Sequence, residues 1–361
     1  MELKNQISKP IFKEDQKTLI AIDAFCGAGG LSLGFISAGF KVIYAFDNDV
    51  ASIKTYNHNL GTHGFVEDIY NLTKEKIADS IKKEIPEVDV MMGGPPCQGF
   101  SVQRRGDNND RRNDLVLEYV RLVLSIKPKF FVMENVGGLL SSRGKPILEI
   151  LKKKFSEQGY GIQIKKLNAF DFGVPQVRKR VFIVGERTDS HDLRFSFANL
   201  IHEIPEGYPK TVREAIEDLQ HLQDKDIPNH VSDKLSRINL ERIRSLKAGQ
   251  ARADLPEHLQ LACHNKNNGH RHLDVYGRMS WDEPSFTLTA RFDSFSRGKF
   301  GHPVLDRTIT LREGARIQTF PDWFEFIGNK VEIARQIGNA VPPNLAKVMA
   351  LSIKKIIEGE K

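Results

Sequence analysis

Residues 19–31 read LIAIDAFCGAGGL, an apolar run that passes directly into a glycine-rich turn. The run predicts a buried strand from Leu19 to Phe25, and the segment after the glycines predicts a helix from Leu31 to Ala38. Glycine at a strand-to-helix turn lets the backbone approach a ligand where a side chain would obstruct it. These residues therefore predict a ligand-binding turn at the end of the first strand.

The same alternation of strands and helices continues to about Arg187. Further buried strands are predicted at Val42 to Asp47, Val88 to Met92, Phe130 to Met133 and Val181 to Val184. Helices are predicted at Val50 to His58, Lys74 to Lys83, Asp114 to Ile126 and Pro146 to Gln158. This spacing predicts an α/β fold with a doubly wound, mostly parallel sheet and helices on both faces. Such sheets bind ligands at the carboxyl ends of their strands.

The pattern does not identify the ligand of the first turn, because glycine-rich turns of this kind bind NAD, FAD and S-adenosylmethionine alike. Asp47, at the end of the next predicted strand, is placed to accept ribose hydroxyls in any of them. A dinucleotide oxidoreductase is the main alternative. Against it, the third glycine of the Gly-x-Gly-x-x-Gly pattern is missing from its usual place.

The pattern changes beyond residue 189, where proline, glycine, asparagine and histidine become frequent and long apolar runs become rare. Periodicity returns from Thr308, and Leu345 to Ile357 predicts a terminal helix that docks on the first domain. The predicted organisation is a polar N-terminal tail 1–17, a first domain 18–189, a smaller loop-presenting domain 190–306, a hinge and connecting segment 307–335, and a return to the first domain at 336–361.

The composition is ordinary for a soluble globular protein, with 40% apolar and 27% charged residues among 361. No run reaches the roughly 18 apolar residues of a membrane helix. Residues 1–17 lack the succession of basic, apolar and small residues that marks a secretory signal. We therefore expect a cytoplasmic protein that does not bind membranes.

The net charge of +7 suits a polyanionic partner, although such an excess also occurs in proteins that never meet nucleic acid. Two stretches concentrate the basic residues. The first contains Lys234, Arg237, Arg242, Arg244, Lys247 and Arg252, and the second contains Arg291, Arg297, Lys299, Arg307, Arg312 and Arg316. Each stretch alone is equally consistent with a solvated surface.

The three cysteines, Cys26, Cys97 and Cys263, are far apart in the sequence. They therefore exclude a disulfide framework and any common zinc spacing, whereas a lone cysteine could be a nucleophile. The sequence from Cys263-His264 to His270 and His272 also fits no common zinc site, and we interpret it as a polar recognition loop without a metal.

The sharpest motif is GGPPCQGFS at residues 93–101, directly after a predicted strand. Two prolines fix the backbone and put the thiol of Cys97 at a strand end rather than in the core, where a cysteine would be inert. From spacing alone, a cysteine packed in a turn is an equally good explanation. The residues that follow, Gln103 to Arg112, have the composition of a mobile lid with cationic contacts for phosphate.

Further polar motifs lie at strand ends. Glu134 in ENV, residues 134–136, is a carboxylate that would be costly to bury unless it served a partner, although it could simply cap the following turn. Arg178 and Arg180 in QVRKR have the fixed geometry that recognises planar or anionic groups. REGARIQTFPD at residues 312–322 and QIGNAVPP at residues 336–343 complete the set.

In this order, the motifs resemble those of the DNA (cytosine-5) methyltransferase family of bacterial restriction-modification systems, from Leu19 to about Lys347. The resemblance implies a Rossmann-like fold that uses S-adenosylmethionine, releases S-adenosylhomocysteine and needs no metal. It implies double-stranded DNA as the substrate, a monomer on DNA, and a possible cognate endonuclease that acts separately. It also makes 18–189 and 336–361 the catalytic and cofactor-binding domain, and 190–306 the target-recognition domain.

The resemblance assigns cofactor contacts to the glycine turn and to five later segments. Phe25 would lie against the adenine and Asp68 at its amino group, while Asn48 replaces a larger residue that packs on the adenine in many members. The full set is Phe25, Gly27, Gly29, Gly30, Asp47, Asn48, Asp68, Ile69, Pro95, Leu115, Asn339 and Ala340.

The resemblance also assigns catalysis. Cys97 would be the nucleophile and Glu134 the acid that engages a flipped-out cytosine, while Arg178 and Arg180 would position the base and the backbone. DNA contacts are expected from Ser101, Arg104, Arg105, Arg291, Arg297 and Lys299. Readers of base edges and phosphates are expected within Asn265 to Gly269 and Ser294 to Lys299.

Two alternatives stay open. A relative that methylates transfer RNA shares the catalytic motifs but usually carries Cys-Phe-Thr in the target region, where this chain has Cys263-His264-Asn265. A DNA-binding relative without catalysis would have broken motifs, whereas Cys97, Glu134 and both arginines are present here.

Overall fold

The computed structural model describes residues 18–96, 114–188, 193–204, 206–223, 225–261 and 274–359. These residues form two compact units. The sheet unit contains the described residues of 18–172, 179–204 and 341–359, and the loop-rich unit contains 173–178 and the described residues of 206–340. In the ranges that the structure describes, no helix is long and apolar enough to cross a membrane.

Seven strands of the sheet unit form one sheet. The strands of the described residues are β1 (Leu19–Ala24), β2 (Phe40–Asp47), β3 (Gly64–Val66), β4 (Val90–Gly93), β5 (Phe130–Asn135), β6 (Tyr160–Asn168), β7 (Gln176–Val177), β8 (Lys179–Arg187) and β9 (Ser285–Phe286). The order across the sheet is β3-β2-β1-β4-β5-β8-β6, and β7 pairs with β9 in the loop-rich unit.

The sheet is mostly parallel, which confirms the predicted fold class. Parallel ladders join β1 to β2 and β4, β2 to β3, and β4 to β5, whereas β8 is antiparallel to both β5 and β6. The sequence analysis did not predict β3 or β6, and these are the two edge strands. An edge strand is covered less completely than a central one, so β6 carries polar residues such as Lys165 and Lys166 and lacks an unbroken apolar run.

Helices follow the strands as the alternation predicted. Those of the sheet unit are α1 (Gly30–Ser37), α2 (Val50–Leu60), α3 (Lys74–Ile81), α4 (Asp114–Ile126), α5 (Lys145–Ser156) and α10 (Pro343–Glu358). The predicted terminal helix is thus observed as α10, and it packs against α1 so closely that a Cβ at Gly34 would lie 2.4 Å from the Cβ of Ala346. That contact explains a glycine in the middle of a helix, where it otherwise destabilises.

The main core lies between the sheet and its helices. Val116, Tyr119, Val120 and Val123 of α4 are fully or almost fully buried, at the i, i+3, i+4, i+7 spacing of one helix face. Phe131 of β5 stacks on Phe155 of α5 with ring centroids 4.0 Å apart. The central strands are therefore held by apolar contacts on their faces, and their carboxyl ends are left for polar residues.

The loop-rich unit contains α6 (Val212–Ile216), α7 (Arg237–Arg244), α8 (Leu311–Ile317) and α9 (Lys330–Asn339). Part of the second basic stretch is buried here. Arg312 donates to the carbonyls of Pro228, Pro321 and Phe324. Arg316 pairs with Asp218 and Asp322, and Arg307 with Glu313. These three arginines connect neighbouring loops, so the stretch is not a continuous solvated surface.

Candidate active site

The glycine-rich turn between β1 and α1 contains two glycines in the left-handed backbone region. Gly27 and Gly29 have positive φ angles of 52° and 97°, and the amide of Gly29 donates to the Cys26 carbonyl at 2.9 Å. A Cβ at Gly29 would lie 2.6 Å from Cδ1 of Leu60, so the position admits only glycine. A Cβ at Gly27 would meet nothing within 4 Å, so the turn is open on that side, and Gly30 begins α1.

Asp47 connects the end of β2 to this turn. One carboxylate oxygen accepts from the amide of Gly27 at 3.0 Å and the other from the amide of Asp49 at 2.9 Å. Burial raises the pKa of Asp47, and these two amides oppose the rise. Asn48 beside it is exposed, and the ring of Phe25 lies 5.9 Å from that of Phe46.

Asp68 and Ile69 follow β3. Asp68 is exposed and accepts from the amide of Tyr70, which caps a short turn. Arg121 of α4 donates to the carbonyls of Ile69 and Leu72 at 2.7 and 3.0 Å, and so fixes this segment. No local pattern singles out Arg121, because in the sequence it resembles any other polar residue on the outer face of a helix.

The predicted contact Leu115, on the first turn of α4, is half-buried. It packs against the same apolar core as Phe25. Both predicted cofactor contacts therefore border the main core of the sheet unit.

The segment after β4 is held close to β1 and β5. The amide of Gly94 donates to the Ala24 carbonyl at 3.3 Å, and the side-chain amide of Asn135 donates to the Pro95 carbonyl at 3.0 Å. No role was predicted for Asn135, although an amide next to a candidate acid in the sequence is a usable signal. Cys97, Ser101, Arg104, Arg105 and the predicted lid Gln103 to Arg112 lie outside the described residues.

Glu134 and Arg180 form an ion pair. The Arg180 Nε lies 3.0 Å from Glu134 Oε1, and the two side chains are only 18% and 14% exposed. The topology explains the pair, since β8 runs antiparallel to β5 and its first residues therefore lie beside the last residues of β5. A Cβ at Gly94 would lie 3.5 Å from Glu134 Oε2. The structure thus brings this acid, this arginine and the start of the Pro95 segment together at the carboxyl ends of β4 and β5.

Arg178 belongs to the loop-rich unit and has a different environment. It is 1% exposed and donates to the carbonyls of Leu288 and Gly338, both at 3.0 Å. Gln318 donates to the Ile337 carbonyl at 2.6 Å, within the same region. Arg178 therefore links backbone segments here, and its predicted contact with the target base stays a prediction.

The other predicted contacts of the loop-rich unit lie at its surface or on its loops. Asn339, the last residue of α9, is exposed, and Ala340 follows it. Arg291 and Arg297 are exposed, and Arg291 pairs with Asp293 at 3.0 Å. Lys299 donates to the Gly249 carbonyl at 2.6 Å, so in this conformation it connects two loops.

The described cysteine and histidine residues bear on two questions, the choice of nucleophile and the presence of a metal site. Cys26 is buried, and burial raises the pKa of its thiol well above the usual value. The stretch from Cys263 to His272 lies outside the described residues. Within the part of the chain that the structure describes, no group of three or more histidine, cysteine or carboxylate side chains could hold a metal ion.

Comparisons with known proteins agree with one another. The model of the C-5 cytosine-specific DNA methylase family matches residues 19–355. The type II methylase M.HgiDII of Herpetosiphon aurantiacus is 32% identical over 348 residues, covering 94% of this chain and 96% of the relative. The type II methyltransferase M.MthTI of Methanothermobacter thermautotrophicus is 36% identical over 353 residues, covering 93% and 97%. A solved structure described as a DNA modification methyltransferase encoded within an E. coli prophage has a TM-score of 0.75 and 28% identity, covering 94% of this chain and 100% of the other.

Proposed function

The chain belongs to the C-5 cytosine-specific DNA methylase family, and from that premise we propose which of its residues methylate carbon 5 of cytosine in DNA. The enzyme is a DNA (cytosine-5) methyltransferase that depends on S-adenosylmethionine. One observation carries the residue assignments. Arg180 lies 3.0 Å from Glu134 at the carboxyl end of β5, beside the end of β4, where the segment that leads to Cys97 begins.

The residues around the glycine turn fit S-adenosylmethionine. The open side of Gly27 leaves room for a ligand to approach the backbone, and the Asp47 carboxylate beside it is suited to ribose hydroxyls. Asp68 and Ile69, fixed by Arg121, would hold the adenine together with Phe25, and Asn48, Pro95, Leu115, Asn339 and Ala340 complete the proposed set. When bound, the cofactor supplies an electrophilic methyl group on a sulfonium.

Cys97 is the proposed nucleophile. Carbon 5 of cytosine is too weak a nucleophile on its own, but addition of a thiolate to carbon 6 turns the ring into an enamine that can accept a methyl group. Cys26 cannot take this role, because its buried thiol resists ionisation. Removal of the carbon 5 proton then expels Cys97. Since carbon 6 is inaccessible in a stacked duplex, the target base must leave the helix.

Glu134 and Arg180 are proposed to engage the flipped-out base. Glu134 would give a proton or a hydrogen bond to ring nitrogen 3 as charge develops there. Arg180 holds Glu134 through its Nε and has further donors on the same guanidinium for the base. The ion pair thereby fixes the acid in one orientation before the substrate arrives.

The choice of DNA sequence is proposed to lie in 190–306, most of which belongs to the loop-rich unit. Its exposed arginines, Arg291 and Arg297, are suited to phosphates and base edges. Because the relatives are named type II methylases and methyltransferases, we also propose a modification enzyme of a restriction-modification system. It would act as a monomer in the compartment that holds the DNA, beside an endonuclease that acts separately.

Duplex DNA with 5-fluorocytosine at the target base tests substrate, cofactor and mechanism together. The final elimination must remove the carbon 5 substituent as a cation, and fluorine cannot leave in that way. A covalent protein–DNA adduct should therefore survive denaturation, form only with S-adenosylmethionine, and be absent for Cys97→Ala. Adduct on transfer RNA but not on DNA would favour the RNA alternative. Methylation without any adduct would refute covalent catalysis.

A further inference from the structure

A chain of hydrogen bonds runs through the interior of the sheet unit beneath the glycine turn. The Ser32 hydroxyl donates to Asp23 Oδ2 at 2.7 Å and lies 2.9 Å from the Tyr56 hydroxyl, which lies 3.0 Å from Nε2 of His63. Asp23, Ser32 and Tyr56 are all 0% exposed. None of these four residues is among the proposed catalytic, cofactor-binding or DNA-binding residues.

These hydrogen-bonded residues contact the glycine turn where it begins, where it ends and along one side. Asp23 belongs to β1 and Ser32 to the first turn of α1, so their hydrogen bond closes the loop that contains Gly27 and Gly29. The ring of Tyr56 packs against Gly29, where an added Cβ would lie 2.9 Å from its Cδ2. Any displacement of Tyr56 or Ser32 would therefore move the glycines.

The buried polar groups of this chain also need their hydrogen bonds for stability. A buried hydroxyl or carboxylate without partners costs free energy, so each member of the chain needs its neighbours in place. The Asp23 Oδ1 has no hydrogen-bond partner among the described residues, so its Oδ2 carries the interaction with Ser32. Loss of one hydroxyl therefore affects more than one pair.

The two ends of this chain of hydrogen bonds, Asp23 and His63, are titratable groups. Burial raises the pKa of Asp23 to about 7, against hydrogen bonds from the Ser32 side chain and amide and with a small further rise from Asp47. In the described part of the chain, Cys26, Tyr56 and Tyr119 are the other titratable groups that interact electrostatically with Asp23. At the opposite end, burial first and Lys41 second lower the pKa of His63 to about 4.

We propose that Asp23, Ser32, Tyr56 and His63 form a positioning chain that holds the glycine turn in its cofactor-binding conformation. The chain sets the affinity for S-adenosylmethionine and takes no part in methyl transfer. This proposal rests on the proposed function, in that the cofactor binds at the glycine turn. An ionised Asp23 accepts more strongly from Ser32 than a protonated one does, so the turn is held more tightly when Asp23 is ionised.

Calorimetric titration of the full-length protein with S-adenosylmethionine, without DNA, measures this affinity directly. Ser32→Ala removes a hydrogen bond to a charged group and should weaken cofactor binding by roughly tenfold. Ser37→Ala is the matched control, because Ser37 lies on the same helix and its hydroxyl donates, among the residues that the structure describes, only to the Leu33 carbonyl. Tyr56→Phe should weaken binding by about fivefold, whereas Tyr160→Phe, which also loses a buried hydroxyl, should not.

The pH dependence separates positioning from general destabilisation. Wild-type affinity should fall as the pH is lowered through about 7, because Asp23 takes up a proton. Asp23→Asn cannot titrate and should give a flatter profile between roughly pH 6 and 8. The cofactor's own amino group titrates equally in both proteins, so the difference between the two profiles isolates Asp23. In steady-state assays, Ser32→Ala should raise the KM for the cofactor and leave kcat nearly unchanged.

The outcomes separate this proposal from the proposed function. If the wild type binds no S-adenosylmethionine, the cofactor assignment fails. If it binds, but Ser32→Ala matches Ser37→Ala, or if kcat falls at unchanged affinity, the positioning chain is refuted and the cofactor assignment stands. If Ser32→Ala does not fold, Tyr56→Phe and Asp23→Asn decide, and unchanged affinity together with an unchanged pH profile overturns the proposal.

Discussion

Replacing Glu134 should separate the chemistry of the site from its stability. Glu134→Gln keeps the shape of the side chain and one hydrogen-bond acceptor for Arg180, but it removes the acid. Turnover should therefore fall by roughly the 10²- to 10⁴-fold that general acid catalysis contributes. Glu134→Ala should reduce turnover by a similar factor, because it removes the same acid.

The stability of the two variants should differ, and the structure gives the size of the difference. With side chains 14% and 18% exposed, the Glu134–Arg180 pair lies between a surface ion pair and a fully buried one. Glu134→Gln loses only the ionic part of a charged hydrogen bond, about 1 kcal/mol, which for a chain of 361 residues corresponds to a Tm lower by roughly 1–2 °C. Glu134→Ala leaves Arg180 without this partner and should cost about 3 kcal/mol.

Single-turnover methyl transfer with labelled cofactor, together with thermal unfolding, measures both effects. Glu149→Gln is the control, because it disrupts an ion pair with Lys152 whose partners are 57% and 46% exposed, and it should change neither quantity appreciably. Cofactor affinity should be the same in all four proteins. If Glu134→Gln lost cofactor affinity and kept the chemical step, the residue would belong to the cofactor site and the assignment would be wrong.

Three further predictions concern other parts of the molecule. Cys97→Ser should abolish methyl transfer while cofactor and DNA binding persist, and near-normal turnover of the purified variant would reject Cys97 as the nucleophile. Arg178→Met should lower the free energy of unfolding by about 3 kcal/mol, because two buried carbonyls lose a charged donor. Denaturant titration measures this change, and an unaltered midpoint would contradict the prediction. Exchange of 190–306 for the corresponding segment of a relative should change the methylated sequence in bisulfite sequencing, and an unchanged pattern would place recognition elsewhere.

The central sheet was predictable because its strands are buried on both faces. β1, β2, β4 and β5 are short apolar runs with helices between them, and burial of both faces forces that pattern. β6 at the edge was not predictable, since its solvent-facing residues are free to be polar. The family itself was identified from ordered motifs, and the family model over residues 19–355 confirms it.

The parts of the site that sequence reasoning missed depend on contacts across long separations. Arg121 fixes the carbonyl of Ile69 from 52 residues away, and Asn135 fixes that of Pro95 from 40. In the positioning chain, Ser32 and Tyr56 are 24 residues apart and lie on different helices. No local periodicity records such pairs, because each residue taken alone is an ordinary polar side chain of a helix or strand. They become visible only when the sheet order is known.

The two arginines of one motif, Arg178 and Arg180, have different environments. The family resemblance assigns both of them to positioning the base and the backbone, and side chains two residues apart on a continuous strand point to the same face. In the structure β7 ends at Val177 and β8 begins at Lys179, so Arg178 lies between two strands that belong to different sheets. The strand periodicity is therefore interrupted at Arg178. Arg180 pairs with the proposed acid, while Arg178 donates to backbone carbonyls of the loop-rich unit. An Arg180→Lys change should accordingly reduce kcat with little loss of stability, the opposite balance to that expected for Arg178→Met.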